Sequence, residues 1–140
     1  MVQEDPDQPA RLDTGQPAAY GPTAEVDLRR LTEREFLALV AKRVDMYVTC
    51  ADLRGVTNFL HGYDAAAGRH AKPVLDGFAE WLRANYVGRH NSFGWPGYVQ
   101  EIALPGQDFG VDRTPKQEKH VLDTLFALLD KFLAEQETAT

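Results

Sequence analysis

KRVDMYVTCADLRGVTNFLHGYD, residues Lys42 to Asp64, is the stretch whose reading decides the fold. In its second half Leu53, Val56, Leu60 and Tyr63 recur at three- and four-residue spacing, and Ala67 continues the stripe. That is the period of an amphipathic helix. Its first half is less settled. Val44, Val48 and Thr49 are β-branched, so Asp45–Cys50 has the composition of an extended segment. A strand needs a partner, however, and no other part of the chain alternates polar and apolar residues clearly enough to pair with it. An all-α domain follows.

Outward from there the signals are helical. Upstream, Thr32 with Glu35 forms a capping box ahead of Phe36, Leu37, Leu39, Val40 and Val44. The helix of the opening stretch begins near Asp52, with Gly68 as its expected stop. A third helix is expected over Asp76–Tyr86, presenting Phe78, Trp81, Leu82 and Tyr86, with Gly88 after it. Pro96 suits the first turn of a short fourth helix bearing Tyr98, Val99 and Ile102, and Pro105 closes it. Thr114, Pro115 and Gln117 start the fifth, whose broad apolar face carries Val121, Leu122, Leu125, Leu128, Leu129, Phe132 and Leu133. Five such segments with short connections predict a small irregular helical bundle.

The 140 residues suit one domain. Residues 1–26 differ in composition from the rest. They hold Pro6, Pro9, Pro17 and Pro22, and five acids against Arg11 alone. Too little apolar surface is present there to offset the entropy of ordering, so a disordered acidic tail is expected, with residues 27–140 as the helical domain. Of the formal charge of −6, the tail accounts for about two thirds. The nearly neutral remainder lacks the basic stripe that nucleic acid requires and offers no attraction to an anionic membrane. One cysteine, Cys50, excludes an internal disulfide and any zinc site built on two thiolates. No leader or membrane span is legible, and a cytoplasmic location is expected.

Three groups of residues have the chemistry to form a site. The loop Gly88–Trp95, GRHNSFGW, sets Arg89, His90, Asn91 and Ser92 beside two aromatics, a composition suited to binding but also ordinary for a helix connection whose rings tuck into the core. His61 shares neighbouring turns with Arg54, Thr57 and Asp64, and His61 with Asp64 has the look of half a catalytic pair, though no nucleophile stands at a motif spacing. Otherwise these residues decorate a solvated face. His61, His70, His90 and His120 show no metal-ligand spacing, so neither a metal nor a cofactor is expected. Cys50 stands ahead of a helix among small neighbours and reads as buried and inert. Trp81 falls in register with the core, whereas Trp95, just before Pro96, is placed to staple a helix or cover a pocket.

Lys42–Val48 is similar to the KRPGMYIG segment of the ATPase domain of type II topoisomerase B subunits, but it lacks the proline and both glycines, and no DGxG phosphate loop follows. That kinship is excluded. A second pattern comprises Met46-Tyr47, Phe59-Leu60-His61-Gly62-Tyr63, Gly77-Phe78-Ala79-Glu80-Trp81-Leu82 and Trp95-Pro96. It resembles small uncharacterised actinobacterial proteins with an MY…FLxGY…GFxEWL…WP arrangement, which in turn resemble immunity proteins of bacterial toxin systems. The resemblance implies a protein that masks a partner protein, and it carries over no catalytic residue. Binding without catalysis is therefore the expected function, with His61, Arg89, His90, Asn91 and Trp95 as candidate contact residues. The alternative is a small enzyme or ligand-binding protein whose cleft combines His61, Arg89, His90 and Trp95.

Overall fold

A computed structural model describes residues 26–139, and among them every regular element is helical. They are α1 (Glu33–Lys42), α2 (Leu53–His70), α3 (Phe78–Leu82), α4 (Trp95–Ala103) and α5 (Pro115–Ala139). Single 3-10 turns stand at Leu28–Arg30 and Val44–Met46, and a π-turn at Arg83–Val87. A compact unit begins at Leu31, and Val26–Arg30 are a separate short piece. In that short piece the Arg29 guanidinium holds the Asp27 carboxyl below its ordinary range. The acidic tail expected over 1–26 lies, but for Val26, outside the described residues.

Local sequence sets three of the helix starts. Thr32 Oγ1 accepts the Glu35 N–H at 3.1 Å while Glu35 Oε1 accepts the Thr32 N–H at 2.9 Å, closing the first capping box. Asp52 caps α2 through a 2.8 Å bond from the Gly55 N–H. Thr114 and Gln117 close the second box at 3.1 and 2.9 Å, with Pro115 in the first turn of α5.

The core forms where the apolar faces meet. α5 buries all seven of its expected apolar residues, and α1 lies along it with Leu37 and Val40 inside. Leu53, Val56 and Leu60 from α2, Phe78 and Leu82 from α3, and Tyr98 and Val99 from α4 complete the interior. At the surface Arg34 clasps Asp130 through two hydrogen bonds of 2.6 and 3.1 Å, which draws the Asp130 carboxyl below its usual range. Tyr63 donates to the Glu33 carboxylate, whose proton affinity burial raises.

Three stretches are decided by packing, and two of them depart from the sequence expectation. First, as the all-α reading expects, no strand forms at Asp45–Cys50: Val48 N–H turns back to the Val44 carbonyl at 3.1 Å. Tyr47 instead joins Phe36, Phe59 and Tyr63 in a cluster of rings with centroids 5.3 to 6.2 Å apart. With no second strand in reach, packing of one aromatic ring outweighs β-propensity. Second, α2 runs past Gly68 to His70. A Cβ at Gly68 would stand 3.3 Å from Pro73 Cγ, so this glycine makes room for the returning chain and does not stop the helix. Third, the expected helix over Asp76–Tyr86 starts at Phe78 and widens into the π-turn, where the Gly88 N–H reaches back to the Arg83 carbonyl at 2.8 Å. Tyr86 there meets the ring of Trp81 edge-on at 5.5 Å, and Trp81 Nε1 donates to Glu135 on α5.

Candidate functional site

The N-terminal half of α2 forms one wall of a cleft of about 870 Å³. Arg54, Thr57, Asn58 and His61 line it at successive i, i+3, i+4 and i+7 positions, so they share one helix face. The other wall is the connection between α4 and α5, represented by Phe109, Gly110, Val111, Asp112 and Arg113, with Phe93 and Pro96 beside it. A volume of this size falls within the range of ordinary ligand and peptide pockets.

A buried polar clamp holds the two walls together. Gln100 on α4 is 1% exposed, and its Nε2 donates to the carbonyls of Gln107 and Asp108 at 3.2 and 3.0 Å. Its Oε1 accepts from Arg113. Arg113 Nε donates in turn to Glu118 Oε1 at 2.9 Å, with only 13% and 18% of the two side chains exposed. The second oxygen of Glu118 accepts the Leu53 N–H at 2.7 Å, an end group of α2 that would otherwise lack a partner. Every charge in this chain of contacts is used internally. Burial of the pair is thereby tolerated, because each donor meets an acceptor.

Against this clamp stand two exposed rings. Phe93 is 55% and Phe109 is 37% exposed, and they stack at a centroid distance of 4.5 Å with an angle of 28°. Both line the large cleft and also a neighbouring hollow of about 310 Å³. Phe93 is set from below. The Asn91 Oδ1 accepts the Phe93 N–H at 2.7 Å, and the Asn91 N–H meets the Tyr98 hydroxyl at 3.3 Å. A Cβ at Gly97 would fall 2.7 Å from Phe93 Cβ and 2.8 Å from Asn91 Oδ1, so only glycine lets the loop seat this closely on α4.

The residues singled out in the sequence divide among different places. His61 lines the cleft, 5.6 Å ring to ring from Trp95. Asp64 does not orient it: its Oδ1 accepts the N–H groups of Val74 and Leu75 at 2.5 and 2.7 Å, anchoring the chain after α2. The half-pair reading fails because that carboxylate is spent on backbone. Trp95 is 7% exposed, 5.8 Å from the Phe78 ring, and belongs to the core. Arg89 pairs with Glu101 at 2.8 Å and lines the smaller hollow with Asn91, and His90 is exposed with Nδ1 3.5 Å from the Tyr98 hydroxyl. Arg89, His90 and Trp95 are not among the residues lining the His61 cleft. Cys50 is exposed, contrary to the buried position expected for it.

Sequence reasoning missed Phe109 and Val111, and it took the aromatics of the 88–95 loop for rings tucked inward, true of Trp95 but not of Phe93. A signal was available. Phe109 sits between Gly106 and Gly110 as Phe93 sits between Gly88 and Gly94, an aromatic bracketed by glycines in a polar connection. Among the described residues no group of three His, Cys, Asp or Glu is placed to hold a metal ion, and no helix is long and apolar enough to cross a membrane. Compared with protein-family models, with curated proteins and with solved structures, the chain matches none.

Proposed function

We propose that this protein works by binding a partner protein at the Phe93–Phe109 face, masking the surface it covers, in the manner that the resemblance to immunity proteins implies. The exposed stacked pair carries the reading. Rings left in water cost solvation free energy, and here a hydrogen-bonded turn and a tight glycine contact set one of them in place. An anchor ordered before binding loses little entropy on association, which is the property of aromatic hot spots. The donor-rich face of α2 beside it supplies the polar rim such interfaces have. The reading as an enzyme or ligand-binding cleft has less support, since His61 lacks an orienting carboxylate, Arg89 and His90 lie outside its cleft, and Trp95, though beside the His61 ring, is a core residue.

The test is a double substitution, Phe93→Ala with Phe109→Ala, in the full chain. A partner captured from the source organism by the unaltered protein should be lost on the order of tenfold or more in affinity, the scale of truncating a hot spot. The partner's own activity should fall when the unaltered protein is added and stay unchanged with the double variant. Equal capture by both proteins would dismiss the reading.

A further inference from the structure

Phe93 and Phe109 cover one face of each other and leave their outer faces and edges open to contact. The face of an aromatic ring is electron-rich and attracts a cation. Charges around the pair act in the same sense. The smaller hollow, which both rings line, holds Glu101 and Asp108 against Arg89 alone. Arg89 pairs with Glu101 at 2.8 Å, so Asp108 is left over. In the large cleft, which both rings also line, Asp52, Asp112 and Glu118 stand against Arg54 and Arg113. Glu118 and Arg113 answer each other and Asp52 caps α2, which leaves Asp112 on the loop wall and Arg54 on the α2 wall. Asp108 and Asp112 are exposed, and among the described residues no ion pair or hydrogen bond reaches either carboxylate. Acid therefore exceeds base in both hollows. The two unused carboxylates flank Phe109 in the chain, one position before it and three after.

We infer that the Phe93–Phe109 pair receives an arginine side chain of the partner protein, stacked on the rings at the smaller hollow and paired with Asp108. This rests on the protein-binding reading above and specifies the partner's chemistry. Charge complementarity sets the sign, since the rings and the unused carboxylates all favour a cation. The choice of hollow follows from what is left unpaired. In the smaller one the single guanidinium is already neutralised by Glu101, whereas Arg54 repels a second cation from the α2 wall of the large cleft. Shape selects arginine over lysine. A planar guanidinium lies flat on a ring while its edge donates two parallel hydrogen bonds to a carboxylate, and it sheds water more readily than an ammonium. Asp108 precedes Phe109 directly, with Cα atoms about 3.8 Å apart, so one side chain can touch both. Asp112 stands no more than about 11 Å further along the backbone, comparable to the screening length at 0.1 M salt, and adds attraction without contact.

Fluorescein-tagged hexapeptide pools, each with one central position held as Arg, Lys, Gln or Glu, test this by fluorescence polarisation against the full chain. The Arg pool should bind at least about fivefold more tightly than the Gln and Glu pools, with Lys between, the scale that an exposed cation–π contact and an exposed ion pair supply together. Raising the salt should shrink the advantage of Arg over Glu. Asp108→Asn with Asp112→Asn should bring the Arg and Gln pools to within about twofold of each other. Both carboxylates are exposed and unused by the fold, so this variant should melt like the unaltered protein. The Phe93→Ala, Phe109→Ala double variant should lose binding of the Arg pool. Equal binding of the Arg and Glu pools, a preference unmoved by the two Asn substitutions, or no binding of any pool would each overturn the inference. If those results came while the double alanine variant still lost the captured partner protein, the protein-binding reading would stand and only the arginine would fall. If the double alanine variant also kept the partner, both would fall.

Discussion

Gln100 and Phe93 lie seven residues apart and depart from ordinary burial in opposite directions. Gln100 is polar and almost fully inside, while Phe93 is a large apolar ring more than half outside. The buried glutamine is explained by the fold alone: both ends of its amide are hydrogen-bonded, to Arg113 on one side and to the 107 and 108 carbonyls on the other. Satisfied in this way, it ties the α4–α5 connection to α4, and through Glu118 the same clamp reaches the start of α2. Phe93 and its partner Phe109 have no such account. The core is filled without them, by Phe78, Phe132, Trp95 and the leucines of α5. A group that the fold explains points to stability, and one that the fold leaves over points to what the surface does.

If the contrast is right, the clamp should be costly to break and the rings cheap to remove. Glu118→Ala should have the largest effect. It leaves the Leu53 N–H without its acceptor and the largely buried Arg113 without its counter-charge, and the loss should be about 2–3 kcal/mol in urea unfolding. A loss below about 0.5 kcal/mol would show that the clamp is a surface decoration. Gly97→Ala should come next and touch both regions. The added methyl must displace Asn91 and Phe93, at about 1–2 kcal/mol, as expected for overpacking. Partner affinity should drop with it, because the ring moves; unchanged affinity would separate the seating of the loop from recognition. Phe109→Ala should change thermal stability least, by no more than about 0.5 kcal/mol. A larger loss would return Phe109 to the core and erase the distinction.

The resemblance pattern takes on a different meaning beside these two regions. Tyr47, Phe59 and Tyr63 form the ring cluster between α1 and α2, and Phe78, Leu82, Trp95 and Pro96 are buried. Its apolar positions are mainly packing positions, so the pattern describes a fold more directly than an activity. Met46 is the exception, exposed at the end of its 3-10 turn.

Helix identity was legible along the chain because it is local. Capping boxes at Thr32 and Thr114, the stripe of Leu53, Val56 and Leu60, and the seven apolar residues of α5 depend on neighbours within a few positions, and all appear as read. The stop at Gly68 was misread because its outcome depended on a residue beyond the helix, Pro73 folding back, whereas the extended composition of Asp45–Cys50 formed no strand, as the all-α reading expects, and Phe36 and Phe59 offer rings to Tyr47 there. The candidate site was legible only in part. His61, Asn91 and the glycine-rich loop could be named in advance, but which carboxylates were already spent could not. Asp64 bonds to residues ten and eleven positions away, Glu118 reaches Leu53 across sixty-five, and Phe93 finds Phe109 across sixteen. Periodicity and propensity are properties of short windows and determined the all-α class. Which polar groups are paired, and which rings remain in water, depends on contacts between separate windows, so only the tertiary structure decided them.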